Sequence, residues 1–255
     1  FEGGVPARYE EDADGDGEID GAGALDPRGR TTLAERDTTG DGRRDVRVHF
    51  DNGVQVKEER DTDADGTYDV VTFFEAGTRT RQEIDHTGDG RFDTVVHFAG
   101  DRPVRQERDT TGDGRYDQQV ELDEAERPLR EAFDTDADGT PDVVKHYAEG
   151  QPTREEIDAD YDGRFEQTTT FEAGRPLRTE TDADADGRPE VVLHYDTAGR
   201  KARQVEDRAH DGSPDLVTWF GRAGPPTRTE EDTTGDGRLD TAQILSLIHI
   251  SEPRD

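Results

Sequence analysis

Asp61-Thr62-Asp63-Ala64-Asp65-Gly66-Thr67-Tyr68-Asp69 is the stretch that decides the reading of this chain, because it returns along the whole sequence in recognisable form. Copies begin at Asp12, Asp37, Asp61, Asp85, Asp109, Asp134, Asp158, Asp182, Asp207 and Asp232, separated by 24 or 25 residues. A register kept over ten copies defines a tandem-repeat architecture, and it takes precedence over any local propensity.

Between copies the pattern reads strand, tight turn, strand. Val70-Val71-Thr72-Phe73-Phe74 follows one copy, and Asp142–Tyr147 and Asp215–Phe220 occupy the same place in others. These runs are β-branched and aromatic and of strand length. One large apolar side chain closes each run, at Phe50, Phe74, Phe98, Leu122, Tyr147, Phe171, Tyr195 and Phe220. A glycine-bearing turn follows, as in Asp51-Asn52-Gly53 and Glu172-Ala173-Gly174, where glycine supplies the positive φ of a hairpin. Extra residues of the longer units fall in turns around Asp123, Asp196 and Gly221, and hairpin tips tolerate insertion.

The expected fold is therefore all-β: an elongated tandem array of hairpins of about 24 residues with acidic loops between them, each unit leaning on its neighbours. Residues 1–36 read as an irregular first repeat, 37–243 as the regular array and 244–255 as a non-repeat tail. That tail reads either as translated sequencing-adapter sequence at the end of a truncated gene or as a closing strand. Lacking methionine and opening on Phe1, the chain reads as processed or as a fragment.

On the return strand Lys57, Arg81, Arg105, Arg130, Arg154, Arg178, Arg203 and Arg228 each stand four residues before the next loop. Two residues later come Glu59, Glu83, Glu107, Glu156, Glu180 and Glu230, with Ala132 and Val205 as exceptions. Residues i and i+2 share a strand face, so cross-strand ion pairs between rows are expected. A solvated charge ladder is the favoured reading over a substrate-binding arginine row. His49, His97, His146 and His194 recur in alternate repeats, implying a 48-residue super-period.

Within the loop, position 1 is Asp in every copy. Position 5 is Asp16, Asp41, Asp65, Asp89, Asp113, Asp138, Asp162, Asp186, Asp211 and Asp236, and position 6 is always Gly. Position 9 is Asp20, Asp45, Asp69, Asp93, Asp117, Asp142, Asp215 and Asp240, with Glu166 and Glu190 replacing Asp. Position 3 is Asp14, Asp63, Asp136, Asp160 and Asp184 in five loops, Thr39, Thr87, Thr111 and Thr234 in four, and Ala209 in one.

Carboxylates at alternate positions followed by a glycine let a short loop wrap a hard cation with oxygens, and calcium takes six to eight of them in flexible geometry. Imidazole and thiolate, the ligands of transition metals, are nearly absent from the loops. Turn chemistry alone is the competing reading, but a turn needs one or two such residues. Up to ten Ca²⁺, about one per repeat, would take the formal charge from −32 to −12. The Asp207 loop, with Ala209 and His210, is the expected weak or empty site.

The nine positions resemble the start of the EF-hand loop and the Asp-rich loops of dockerins and thrombospondin type 3 repeats. That resemblance implies side-chain ligands at positions 1, 3, 5 and 9 and a main-chain carbonyl at 7, such as that of Thr67. It stops at position 9, since strands replace the helices and position 12 is Val48, Thr72 or Val96 rather than Glu. The aromatic-x-x-Gly hairpin also faintly resembles MORN-type repeats.

Composition limits the function classes. Sixty-four Asp+Glu against 32 Lys+Arg leave a net charge of −32, with 28% apolar residues. Such a chain buries too little apolar surface to form one large core, so without bound ions it is expected to be loose. A polyanion without a basic stripe repels nucleic acid, and no apolar run is long enough to span a membrane as a helix. No nucleophile–base arrangement or phosphate loop is present, so no enzyme is expected. The expected role is a calcium-stabilised extracellular or cell-surface structural protein: a stalk, adhesin segment or filament subunit that self-associates end to end or side by side. The alternatives are a calcium-dependent module binding a polysaccharide (glycan) or a protein, and an accessory region of a longer secreted enzyme.

Overall fold

The computed structural model describes residues 7–13 and 15–245. Asp14, expected at position 3 of the first loop, and residues 246–255 of the non-repeat tail lie outside the described residues. The chain divides into two units, Phe1–Arg127 and Pro128–Asp255.

The first unit holds β1 (Arg8–Glu11), β2 (Gly21–Leu25), β3 (Thr31–Arg36), β4 (Val46–Asp51), β5 (Val54–Arg60), β6 (Val70–Glu75), β7 (Thr78–Ile84), β8 (Thr94–Ala99), β9 (Arg102–Arg108) and β10 (Gln118–Leu122). The second holds β11 (Pro128–Phe133), β12 (Val143–Ala148), β13 (Gln151–Ile157), β14 (Gln167–Glu172), β15 (Arg175–Thr181), β16 (Val191–Tyr195), β17 (Lys201–Glu206), β18 (Leu216–Phe220), β19 (Pro226–Glu231) and β20 (Thr241–Ile244). Within each unit every strand pairs antiparallel with the next, as β6 with β7 and β12 with β13. Among the described residues, substantial contacts between strands join sequence neighbours only. Each unit is thus a meander without a second layer, and the chain is all-β. Among the described residues no helix is long and apolar enough to cross a membrane.

With no covering layer, the core is a thin mid-strand strip. Val95 is 2% exposed and Val217 is fully buried. Val71 and Val144 occupy the equivalent position in other hairpins and are also buried, as are Val120, one place further along its strand, and Ala132 on a return strand. Thr72, Thr169, Thr179 and Thr218 are buried as well. Thr169 and Thr179 share a hydroxyl hydrogen bond of 2.9 Å across the sheet, which answers the requirement that a buried hydroxyl be paired.

In the short hairpins Asn52 and Gly53 both have positive φ (52° and 80°), as do Ala76 and Gly77 (50° and 81°). That is the backbone of a type I′ turn, whose twist matches its strands. One residue of each return strand then bulges, so His49 faces Lys57 while Phe50 faces Gln55. The same shift recurs at Phe73/Phe74, His146/Tyr147 and Trp219/Phe220. Where Thr occupies the bulge its hydroxyl donates to the opposing carbonyl, Thr80 to Phe73 and Thr153 to His146.

Two expectations need correction. Asp142 and Asp215 belong to the loops, not the strands: their amides donate to the Phe133 and Glu206 carbonyls and their side chains turn back into the loop. The arginines of the row pair with glutamates along their own strand, as at Arg154–Glu156 (2.8 Å) and Arg178–Glu180 (2.6 Å), whereas the cross-strand ion pairs come from other cations, as Arg47 to Glu35 (2.8 Å) and Lys145 to Glu155 (3.3 Å). Two residues on one strand face are close enough for long side chains to meet. The longer turns lie at the expected places and are specific structures. Asp26, Asp123 and Asp196 each accept from the amide and guanidinium of the Arg four residues on.

The 48-residue period has a physical content. His49, His97 and His146 meet Glu59, Glu107 and Glu156 at 2.7, 3.1 and 3.0 Å. In two of the intervening repeats an aromatic ring takes that position and receives a guanidinium group instead, Arg81 over Phe73 and Arg228 over Trp219, while Glu121 and Thr170 stand there in the other two. His194 has no such glutamate, since Val205 stands there. Burial, then the charges of Arg178 and Arg203, lower its pKa.

Candidate metal centre

Each loop is closed by the same three carboxylate caps. The position-6 glycine amide donates to the position-1 aspartate in every loop, from Gly17 to Asp12 (3.0 Å) through Gly66 to Asp61 (2.8 Å) to Gly237 to Asp232 (2.7 Å). The position-7 amide donates to position 5, as Thr67 to Asp65 (2.6 Å) and Arg164 to Asp162 (2.9 Å). The position-2 amide donates to position 9, as Thr62 to Asp69 (2.7 Å), Ala159 to Glu166 (2.9 Å) and Ala183 to Glu190 (2.7 Å). Turn chemistry is therefore part of what these residues do. A carboxylate has about four lone-pair sites, so one cap leaves capacity for a cation.

Two positions in each loop need a left-handed backbone. Position 6 is always glycine, with φ of 96° at Gly66. Position 4 also has positive φ, at Ala64, Ala137, Tyr161, Ala185 and His210 as well as at glycines such as Gly88.

Successive loops within a unit are stitched together. The position-1 amide donates to the position-9 carbonyl of the loop before, as Asp85 to Asp69 (2.8 Å) and Asp182 to Glu166 (2.8 Å). Position 8 adds a second stitch where it is tyrosine: Tyr68 and Tyr116 donate to the Arg44 and Phe92 carbonyls (both 3.2 Å).

Position 3 separates nine of the loops into two kinds, the ninth loop in chain order carrying Ala209 there. Where it is threonine, the hydroxyls of Thr39, Thr87, Thr111 and Thr234 donate to Asp37, Asp85, Asp109 and Asp232. Burial of those four aspartates opposes ionisation, but the glycine amides and the threonine donors outweigh it, and all four pKa values are lowered. Such loops satisfy their position-1 carboxylate internally.

Where position 3 is aspartate, carboxylates crowd instead. Asp158, Asp160, Asp162 and Glu166 place one oxygen each within 4.8 Å of all the others. Asp61, Asp63 and Asp69 form a similar group, as do Asp134, Asp136 and Asp142, and Asp182, Asp184 and Asp186. Asp65 and Asp138 stand outside their groups, each held by the amide two residues on. The amide of Asp138 favours ionisation of Asp136, yet burial and the charges of Asp138, Asp142 and Asp134 prevail and raise its pKa. Asp134 Oδ1 is buried with no hydrogen-bond partner among the described residues. An unpaired buried carboxylate oxygen is costly, and a cation in the group would relieve it. Several acidic clusters of this chain could therefore hold metal ions. The remaining loop residues, among them Asp20, Asp41, Asp45, Asp89, Asp93, Asp113, Asp117, Asp236 and Asp240, form loops without such a group among the described residues. Asp207, Asp211 and Asp215 close the ninth loop with amide caps alone.

No family model matches the chain, and no curated protein matches it. Solved structures give weak likenesses. Accessory secretory proteins 1, 2 and 3 of Streptococcus pneumoniae align at 16% identity and a TM-score of 0.29, over 35% of this chain and 17% of that one. A mutant of Staphylococcus aureus TarM, in complex with Fondaparinux, alpha-GlcNAc-glycerol and UDP, aligns at 14% and 0.25, over 48% and 21%. A porin-like protein of Bacteroides uniformis aligns at 11% and 0.21, over 82% and 95%. The chain thus spans about a fifth of the length of the first two. Likenesses at this level carry no argument about function.

Proposed function

We propose that the chain is a calcium-stabilised extracellular structural repeat, with the loops of the aspartate kind as its principal ion sites. The observation that carries this reading is the group of Asp158, Asp160, Asp162 and Glu166, four carboxylate oxygens within 4.8 Å of one another. Calcium binds oxygens at 2.3–2.6 Å, so ligands on opposite sides of one ion stand about 4.6–5.2 Å apart. The group has the size of a calcium shell. Unit charges 4 Å apart repel by about 1 kcal/mol even in water, and a divalent ion turns that repulsion into attraction.

Calcium is favoured over magnesium because a loop of flexible oxygens suits variable coordination, whereas magnesium keeps its own waters. Millimolar calcium is an extracellular condition, which supports placement outside the cell or on its surface. Bound ions would rigidify the loop edge of each meander, and β20, exposed along its length and paired among the described residues with β19 alone, offers an edge for self-association. A stalk, adhesin segment or filament subunit uses both properties.

Calcium titration by calorimetry tests the assignment. The wild-type chain binds several ions, and Asp160→Ala removes one of the tight ones while Thr87→Ala leaves the tight class intact. Equal losses from both substitutions would contradict the ranking, and no calcium binding at millimolar concentration would overturn the reading.

A further inference from the structure

The ninth loop has lost its own position-3 ligand to Ala209, but it reaches into the eighth. His210, at position 4, points its Nδ1 at Asp184 Oδ2 and Glu190 Oε1, 3.4 Å from each. The three groups lie within 4.8 Å of one another. No other loop carries histidine at position 4.

The distances suit an ion better than a hydrogen bond. An N–H···O bond spans about 2.7–3.2 Å, and both contacts are longer. Tetrahedral zinc with bonds of about 2.0–2.1 Å holds neighbouring ligand atoms about 3.3–3.4 Å apart. An independent feature is the state of Glu190. Its side chain is 13% exposed and its Oε2 caps the Ala183 amide. Its Oε1 is out of contact with solvent and has no hydrogen-bond partner among the described residues. A buried carboxylate oxygen without a donor, turned toward an imidazole, calls for a cation between them.

We infer that His210, Asp184 and Glu190 form a site for a borderline transition-metal ion of the zinc class, linking the eighth and ninth repeats. Imidazole nitrogen selects such ions over calcium, which prefers oxygen alone. His210 and Asp184 are both about half exposed (49% and 50%), so water completes the coordination. The ion adds a side-chain crosslink between two loops that the Asp207 amide and the Glu190 carbonyl already join at 2.8 Å. Asp184 also belongs to the Asp182–Asp186 group, but the histidine does not. The inference stands whichever ion the remaining loops take.

Cobalt(II) is the probe, added to the full chain both with saturating calcium and without it. One Co²⁺ per chain is expected to give the visible bands of low-symmetry coordination, displaced by Zn²⁺. His210→Gly installs the residue that five loops carry at position 4 and favours the positive φ of 55° found there, so the fold is kept. It abolishes the bands while calcium stoichiometry stays unchanged. Glu190→Asp, which withdraws the carboxylate by one methylene, weakens them, and His146→Ala, on the sheet, leaves them alone. Bands that survive His210→Gly, or their absence from the wild-type chain, overturn the inference. A failure of calcium to bind would leave this result readable, because the cobalt signal depends on a residue outside the calcium groups.

Discussion

Position 3 of the loop decides what the other carboxylates are free to do. Threonine there closes a hydrogen bond onto position 1 and lowers that group's pKa, as at Asp85. Aspartate there adds a charge that has no equivalent donor, and Asp136 is pushed up by its neighbours. Replacing Thr87 by Asp is thus expected to create a new tight calcium site, read as one additional ion in a titration, while destabilising the ion-free loop. Position 9 works differently. Asp69 is 5% exposed and takes both the amide and the hydroxyl of Thr62. Asp69→Ala strands those donors and costs about 1–3 kcal/mol, detectable as faster amide exchange at Thr62 with or without calcium. The sequence pattern marked all four positions as ligand candidates. It did not reveal that three of them cap the main chain in every loop, and the fourth does so at Asp63, Asp136 and Asp184, because one alternating carboxylate pattern serves both chemistries. Nor did it reveal the reach of His210, whose partners lie in the loop before its own.

At the scale of the hairpin, Asn52-Gly53 and its counterparts made the short turns legible, since adjacent positive-φ residues admit few alternatives. The register shift after His49 was not legible, because a bulge leaves no mark in the apolar alternation when one face carries long charged side chains. The Asp-to-Arg clamps of the longer turns are visible only after Asp26, Asp123 and Asp196 are aligned as turn openers. The clamp also sets a pH limit. Side-chain and main-chain hydrogen bonds from Arg200 lower the Asp196 pKa to about 2. A carboxyl depressed in the folded state contributes stability above its unfolded value of about 3.9, lost as pH falls through the folded value. An NMR titration should find the Arg200 amide protected at pH 3 and released near pH 2. Release near pH 4 would mean that the clamp does not form.

For each unit as a whole, contacts between sequence neighbours make stability close to a sum of repeats and their junctions. Excising residues 61–84, one period, joins equivalent positions and should leave a folded chain whose β circular-dichroism signal falls in proportion to the residues removed. Global unfolding instead would show a cooperativity that neighbour contacts cannot supply. The all-β repeat followed from the period alone, whereas the separation into units at Arg127 followed from nothing in the repeat. The central claim is that bound calcium offsets the repulsion of a chain with a net charge of −32 and only a thin apolar strip to bury. Far-ultraviolet circular dichroism during chelation and calcium return tests it most directly. The account predicts that EDTA abolishes the β signal and that calcium restores it as the aspartate-type loops fill. A β spectrum unchanged in EDTA would contradict it.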